Sequence, residues 1–266
     1  MAVKQIENLL VLLEFFAERQ EPATLADVVR HFGWPRSSAH NILSTLADAG
    51  YLYEPRARGG YYPSSRWQQL AAAFADGEPI AESLRNIIID LGARTGETIW
   101  VSAPSGLYAV FLDVVESSAA VRYAAQLGNR VPIHVTASGQ TLLSQMPERD
   151  CEVLLRKASF GNWGPNAARS IDEVRAQMEA GRRRGWFLSA SNYSPDLGGV
   201  AVPIVLGDRV FSVTVAGPLY RVADKFEYHA QEIYAAIGRE LGEDYCARTL
   251  RDIDPPVWGR FVNPYA

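Results

Sequence analysis

Residues 24–50 carry the pattern that most narrows what this chain can become. Thr24 with Asp27 three residues later reads as an N-terminal capping box, with Asp in place of Glu or Gln. Leu25, Val28, Val29 and Phe32 give the helix that follows an apolar side. Gly33-Trp34-Pro35 is a tight turn, because Gly accepts left-handed angles and Pro suits a first helical position. A further helix is expected from about Arg36 to Ala49, closed by Gly50. Two amphipathic helices about a short Gly-containing turn form the helix-turn-helix pattern.

The second of these helices has two faces. Ala39, Ile42, Leu43 and Leu46 make the apolar stripe, while Ser37, His40, Asn41 and Ser44 recur at helical spacing on another face. These are short donors and acceptors that can reach base edges and phosphates. With Arg36, Ser38 and Thr45 beside them, they are the candidate contacts to double-stranded operator DNA. Tyr51-Leu52-Tyr53 and Tyr61-Tyr62 read as short strands around Glu54–Gly60, a hairpin wing with Arg56 and Arg58 at its tip. Upstream, Ile6, Leu9, Leu10, Leu13, Phe16 and Ala17 repeat at helical spacing, so a first helix is expected. The chain's net charge is −4, but its distribution is uneven. Lys4 and Arg19 face five acids over residues 1–29, whereas Arg30, Arg36, Arg56, Arg58 and Arg66 face only Asp48 and Glu54 over residues 30–66. The positive charge gathers where nucleic acid would be met. The pattern also suits a small helical bundle that binds no DNA.

At 266 residues the chain is long enough for two domains. The expected organisation is a winged helix-turn-helix over 1–66, a linker helix over 67–78, a larger domain over 79–246 and an irregular tail over 247–266. In the linker, Trp67 and Phe74 are candidates for exposed aromatic contacts. Ile80, Leu84, Ile87, Ile88 and Leu91 give another amphipathic helix, ended by Thr95-Gly96. Strands are expected over 97–103, 107–116 and 120–126, and helices over 136–146 and 150–157. Ser170 with Glu173 reads as a capping box for a helix ending at Arg182-Arg183-Arg184-Gly185. A hairpin around Gly207-Asp208 joins strands 200–206 and 209–216, and Phe226 to Leu241 form a last helix. The fold class is α+β, with helices grouped around an antiparallel sheet.

Three stretches, in order, resemble the IclR family of bacterial transcriptional regulators. The first is Leu25 to Leu43, continued by Leu46, Gly50-Tyr51-Leu52 and Tyr61-Tyr62-Pro63. The second is Gly128-Asn129-Arg130-Val131-Pro132-Ile133-His134-Val135-Thr136-Ala137-Ser138-Gly139-Gln140. The third runs from Arg183-Arg184-Gly185-Trp186 through Gly199–Ile204 to Val215-Ala216-Gly217-Pro218. The resemblance implies a GAF-like effector domain whose pocket lies between the sheet and loops at Tyr123, Val131, Ala137, Ser138, Ser189, Gly199, Thr214 and Ala216. Trp100 and Tyr108, on neighbouring strands, read either as an added apolar wall or as core. The chain departs from the family at Asn41, where members usually carry Arg, and at Ser189–Asn192, where many carry acids.

The residues support such a pocket in their own right. Thr136 to Ser138 open a helix, whose free N–H groups favour an anion. Ser138, Ser189 and Thr214 add hydroxyls, and Tyr123 can stack on a planar ligand. No acid stands among these positions, which favours an aromatic acid or its derivative over a cation. His134 reads as a core or capping residue, and Arg182–Arg184 as a solvated helix end, with anion binding as the alternative. No GxSxG, Walker A, HExxH or strand-following GxGxxG occurs, and His134 and His229 have no metal-ligand spacing to a cysteine. Cys151 and Cys246 form no CxxC. No catalytic residue, metal or cofactor is therefore expected. With no apolar run of membrane-spanning length, the reading is a cytoplasmic, ligand-responsive regulator acting as a homodimer or dimer of dimers. The competing readings are an enzyme with an N-terminal docking module, and an architectural DNA binder without a ligand.

Overall fold

The structure, a computed structural model, describes residues 3–56, 59–76, 82–242 and 245. The chain divides into two compact units, 1–79 and 80–266. Arg58, Cys246 and the expected irregular tail lie outside the described residues.

The N-terminal unit contains α1 (Lys4–Arg19), α2 (Leu25–Phe32), α3 (Arg36–Asp48), β1 (Leu52–Tyr53), β2 (Tyr62–Pro63) and α4 (Arg66–Asp76). The capping box forms as read: the Thr24 hydroxyl accepts from the Asp27 N–H, and the Asp27 carboxylate accepts from the Thr24 N–H. Gly33 caps α2 at φ +66°, a left-handed angle that costs Gly least. Pro35 stands one place earlier than expected. At ψ 135° it is the N-cap of α3, not its first residue. The core joins Leu12, Phe15 and Phe16 of α1 to Val28, Ala39, Leu43, Leu46 and Leu52. The α1 stripe is thus rotated from the expected one: Ile6 and Leu10 are more than half exposed, and Leu12 and Phe15 take the buried face. The two-stranded wing gains a third contributor, because Ala23 exchanges both backbone hydrogen bonds with Tyr61. Gly60 makes this approach possible at φ +91°, since a Cβ there would sit 2.6 Å from the Ala23 carbonyl carbon. Trp67 is not an exposed aromatic. Its ring lies 4.6 Å from that of Tyr51, and its indole N–H donates to the Tyr51 carbonyl. Phe74 is 70% exposed, as expected.

The C-terminal unit contains α5 (Glu82–Thr95), β3 (Thr98–Ser105), β4 (Tyr108–Val115), β5 (Arg130–Pro132), α6 (Ala137–Ser144), α7 (Glu148–Lys157), α8 (Ile171–Arg184), β6 (Phe187–Ala190), β7 (Leu197–Leu206), β8 (Arg209–Pro218), α9 (Leu219–Val222) and α10 (Phe226–Leu241). Its six strands form one antiparallel sheet in the order β5-β4-β3-β8-β7-β6. Side chains alternate between the two faces. Ile99, Val101, Val200, Val202, Val213 and Val215 pack with α5 and α10 on one face. Trp100, Phe111, Ala201 and Ala216 pack with α6, α7 and α8 on the other.

Residues 120–126 do not form the expected strand. The edge of β4 they would need is taken by β5, and beyond it by the exchange of Phe111 with Gly128 and Asn129. The segment is pinned from outside the ladder instead: the Thr98 hydroxyl donates to the Tyr123 carbonyl, and Arg221 to the Val121 carbonyl. The Ser170 box closes only on one side, because the Glu173 carboxylate accepts from the Arg169 N–H. The arginine run is not uniformly solvated. Arg182 donates to the Ser144 carbonyl, and Arg184 lies over the Trp186 ring. Among the described residues no helix is long and apolar enough to cross a membrane.

Candidate functional sites

On α3, Ala39, Leu43 and Leu46 are buried, so the opposite face is presented outward. Arg36, Ser37, His40, Asn41 and Thr45 are exposed, and Ser38 and Ser44 are half-buried. The Ser44 and Thr45 hydroxyls both donate to the Asn41 carbonyl, leaving their oxygens as acceptors. The amide of Asn41 has no partner among the described residues, so its donor and acceptor remain available together. Arg36 and Arg56 are exposed without an ion pair among the described residues. Trp34 stacks on Phe32 at 4.3 Å and 13°, fixing the turn between the two helices.

In the C-terminal unit the sheet register gathers residues that lie far apart in the chain. Thr98, Ala216, Gly199 and Ser189 stand opposite one another across four strands, and Trp100 pairs with Thr214 two residues along. This face, the start of α6, and Tyr123, Tyr193 and Leu197 from the segments at 121–126 and 191–197 line a small, partly open pocket. Its walls include Trp100, Tyr123, Val131, Ala137, Ser138, Ser189, Gly199, Thr214 and Ala216. Tyr108 is not among them. It is 40% exposed on β4, and the Arg130 guanidinium lies 4.4 Å from its ring centre. Sequence reasoning did not single out Tyr193, Leu197 and Gly198 as lining residues. Tyr193 arrives on a loop held by a stack on Trp163 (5.9 Å), which no local pattern announces. Gly199 keeps the floor low: a Cβ there would meet the Ala216 Cβ at 2.7 Å.

Several lining residues carry polar groups. Thr136 caps α6 by accepting from the Gly139 N–H, while the N–H groups of Ala137 and Ser138 have no partner among the described residues. The Ser138 and Thr136 hydroxyls are 3.2 Å apart, as are those of Thr214 and Ser212 at 3.3 Å. The Trp100 indole N–H is buried without a partner. Burial, aided by the neighbouring Tyr193 phenol, pushes the Tyr123 phenol up to about 12, so it stays protonated and can donate. No carboxylate lines the cavity. His134 is buried nearby, with Nε2 3.2 Å from the Ser159 carbonyl and its ring against Phe160. Burial holds its pKa below the ordinary value. Among the described residues no cluster of His, Cys, Asp or Glu has metal-binding geometry.

A winged helix-turn-helix in one chain with a sheet domain that carries a pocket is the architecture of ligand-responsive transcription regulators. The family models make the class specific. Residues 72–242 match "Bacterial transcriptional regulator IclR C-terminal", and residues 5–56 match "IclR helix-turn-helix domain". The chain belongs to the IclR family: it is a transcriptional regulator with a DNA-binding helix-turn-helix and a C-terminal effector domain. It is similar to the HTH-type transcriptional regulator XynR of Escherichia coli, at 22% identity over 90% of this chain and 98% of that protein. Its fold is similar to that of the Thermotoga maritima IclR structure (TM-score 0.65, 22% identity, covering 90% and 97% of the two chains). It is also similar to an IclR homolog from Microbacterium hydrocarbonoxydans solved in complex with 4-hydroxybenzoate (TM-score 0.64, 22% identity, 90% and 98%).

Proposed function

We propose that this regulator binds a small, planar, weakly anionic effector, an aromatic acid or close derivative, in the cavity beside α6. The observation that carries this reading is the cavity's chemistry. The pocket is lined by the aromatic Trp100, Tyr123 and Tyr193 and by Thr136, Ala137 and Ser138 at the start of α6, where two backbone N–H groups have no partner among the described residues, and no acid lines it. A carboxylate gains from such donors, whereas a cation would lose its hydration for nothing in return. The 4-hydroxybenzoate bound by the Microbacterium relative is consistent with this class.

On the DNA side, Ser37, His40 and Asn41 are proposed to read bases. Arg36, Ser38, Ser44 and Thr45, with Arg56 and Arg58 of the wing, hold the phosphate backbone. The unit is proposed to work as a homodimer or dimer of dimers, since one helix-turn-helix reads too few base pairs to select a genomic site. The exposed Ile6 and Leu10 of α1 and Phe74 of α4 are available for such contacts.

Calorimetric titration with benzoate, 4-hydroxybenzoate, benzamide and benzylamine tests the effector class. The acids are expected to bind, the amide more weakly, and the amine not at all. Ala216→Leu, which extends a side chain from the cavity floor, is expected to abolish binding of the acids. Preference for benzylamine, or an Ala216→Leu variant that binds like the parent, would sink the assignment. The ligand's effect on affinity for the upstream region of its own gene can be no larger than its preference between the two protein states.

A further inference from the structure

We propose that the effector domain carries a second small-molecule site, for an oxyanion such as a phosphate or carboxylate group, in the cleft between α8 and the outer edge of β6. The arginine run at the end of α8 is where this begins. Arg183 is exposed and lies 3.5 Å from Glu179, and Arg182 is 3.8 Å from the same carboxylate. Arg184 has no carboxylate partner among the described residues. Its guanidinium lies 4.9 Å from the Trp186 ring centre, and its Nε–H is buried and donates to nothing. That nitrogen is closed off, so the Nη groups of the guanidinium are what a ligand in the adjoining cleft would meet.

An open cleft lies beside it. Gln177 and Arg184, two turns apart on α8, form one side, and β6 with Asn166 and Asn192 forms the other. No carboxylate lines it. Each of the three carboxamides spends one N–H within the protein: Asn166 on the Ala190 carbonyl, Gln177 on the Asn166 carbonyl, and Asn192, more weakly at 3.5 Å, on Gln177. A primary amide has two, so a second donor remains on each. The backbone adds another. β6 is the last strand of the sheet, and Ala190 turns its N–H and C=O outward, to Asn192 and Asn166. Alternation along a strand turns the N–H and C=O of Leu188 the same way, and no described residue takes them.

A partly desolvated guanidinium, a backbone N–H and amide N–H groups, with no competing acid, are the donors that charge-assisted oxyanion binding uses. The negative end of the α8 dipole opposes an anion, but it amounts to about half a charge against the full charge of Arg184. It is also blunted by the Gly185 N–H, which caps the Gly181 and Arg182 carbonyls. An added β-strand is the poorer occupant, because the Asn166 and Asn192 side chains already plug the edge at Ala190. The site is separate from the cavity beside α6. Ser189 faces that cavity, and its neighbours on β6 line this cleft.

The test is calorimetric titration of the full chain with inorganic phosphate and with acetate, at constant ionic strength. Saturable binding of at least one is expected, and the stronger of the two identifies a phosphate-bearing or a carboxylate-bearing ligand. Arg184→Gln should weaken it at least about tenfold, as expected for loss of a charge-assisted contact. Arg183→Gln, on the exposed neighbour, should leave it unchanged. Asn192→Asp keeps the acceptor for the Ala190 N–H but replaces the N–H given to Gln177 with a carboxylate oxygen at the cleft, so it should abolish binding while the circular dichroism spectrum stays that of the parent. This second variant decides the matter if Arg184→Gln loosens the packing on Trp186. No saturable binding of either anion, equal losses at Arg183 and Arg184, or parental affinity in Asn192→Asp would each overturn the proposal.

Discussion

Arg221→Met should be among the most damaging single changes outside the hydrophobic core. Glu97 is 4% exposed. Both its oxygens are held by Arg221, through Nε and Nη2 at 2.6 Å each. The carboxylate fills the space against Gly217, where a Cβ would come within 2.2 Å of it. Removing the guanidinium leaves a buried charge with no comparable partner, a loss of about 3–5 kcal/mol. The Arg221 side chain is itself a quarter exposed, so water reaches one side of the pair and the lower end applies. For a domain of this size about 3 kcal/mol lowers the melting midpoint by roughly 6–12 °C. Thermal melting of the full chain by circular dichroism, following the effector-domain transition, reads this directly. Glu97→Gln combined with Arg221→Met removes both charges and should recover more than half of the loss, since buried pairs are often replaceable together. It should not recover ligand binding. Arg221 also holds the Val121 carbonyl at 2.9 Å, on the segment that delivers Tyr123 to the cavity. A single variant melting within about 2 °C of the parent, or a double variant no better than the single, would refute the reasoning.

On DNA, Asn41→Ala should cost about 1–3 kcal/mol on the cognate operator and less on random sequence, whereas Arg56→Ala should weaken both equally and flatten the salt dependence by about one unit of slope; fluorescence anisotropy at several salt concentrations separates the two. Burial holds His229 down at about 4, with Lys225 acting in the same direction and Glu97 against it. The unfolded chain therefore takes up that proton first, so this contribution is fully present above about pH 6.5 and falls by at most about 3 kcal/mol as pH drops towards 4. Urea denaturation across that range should show a shallower fall for His229→Gln, and an identical slope would exclude the residue as its source. Gly139→Ala should disorder the start of α6, because the new Cβ would lie 2.2 Å from the Ile133 carbonyl oxygen; a variant that melts and binds ligand like the parent would show that the backbone gives way there.

How much was legible in the sequence followed how local each interaction is. The Thr24 box, the Gly33 and Gly185 caps and the Gly207 hairpin are contacts within a few residues, and the pattern announces them. The α1 stripe was misread because Leu9, Leu10, Leu12, Leu13, Phe15 and Phe16 make that helix apolar nearly all round. Only the positions of α2, α3 and the wing decide which side is buried. Residues 120–126 have a strand's composition, but a strand also needs a free edge, and that is a property of the whole sheet. For the cavity, the family resemblance indicated most of the lining residues, while Tyr108 failed on the direction its strand position gives it. Tyr193 could not be anticipated, since its place depends on Trp163 and on a left-handed Ser191 held by the Leu197 carbonyl.

That division bears on how an effector could act. The strand row at Ser189, Gly199 and Ala216 and the start of α6 belong to closely packed layers, and a ligand gains little differential energy from parts that have one arrangement. The two loops lie outside the strand ladder. Residues 121–126 are tied by hydrogen bonds from Thr98 and Arg221, by the Arg122–Glu116 pair and by buried Ala125, and the 191–197 loop by the Trp163 stack and by backbone bonds with Gly164, Asn166 and Leu219. Each offers one tyrosine to the cavity, Tyr123 and Tyr193. A planar acid held by the α6 N–H groups would meet both rings, so its preference between states would lie in how these two loops are ordered. Hydrogen exchange with and without the bound acid should then show protection rising at 121–126 and 191–197 before any change in the strands. Protection confined to the strands would place the switch elsewhere.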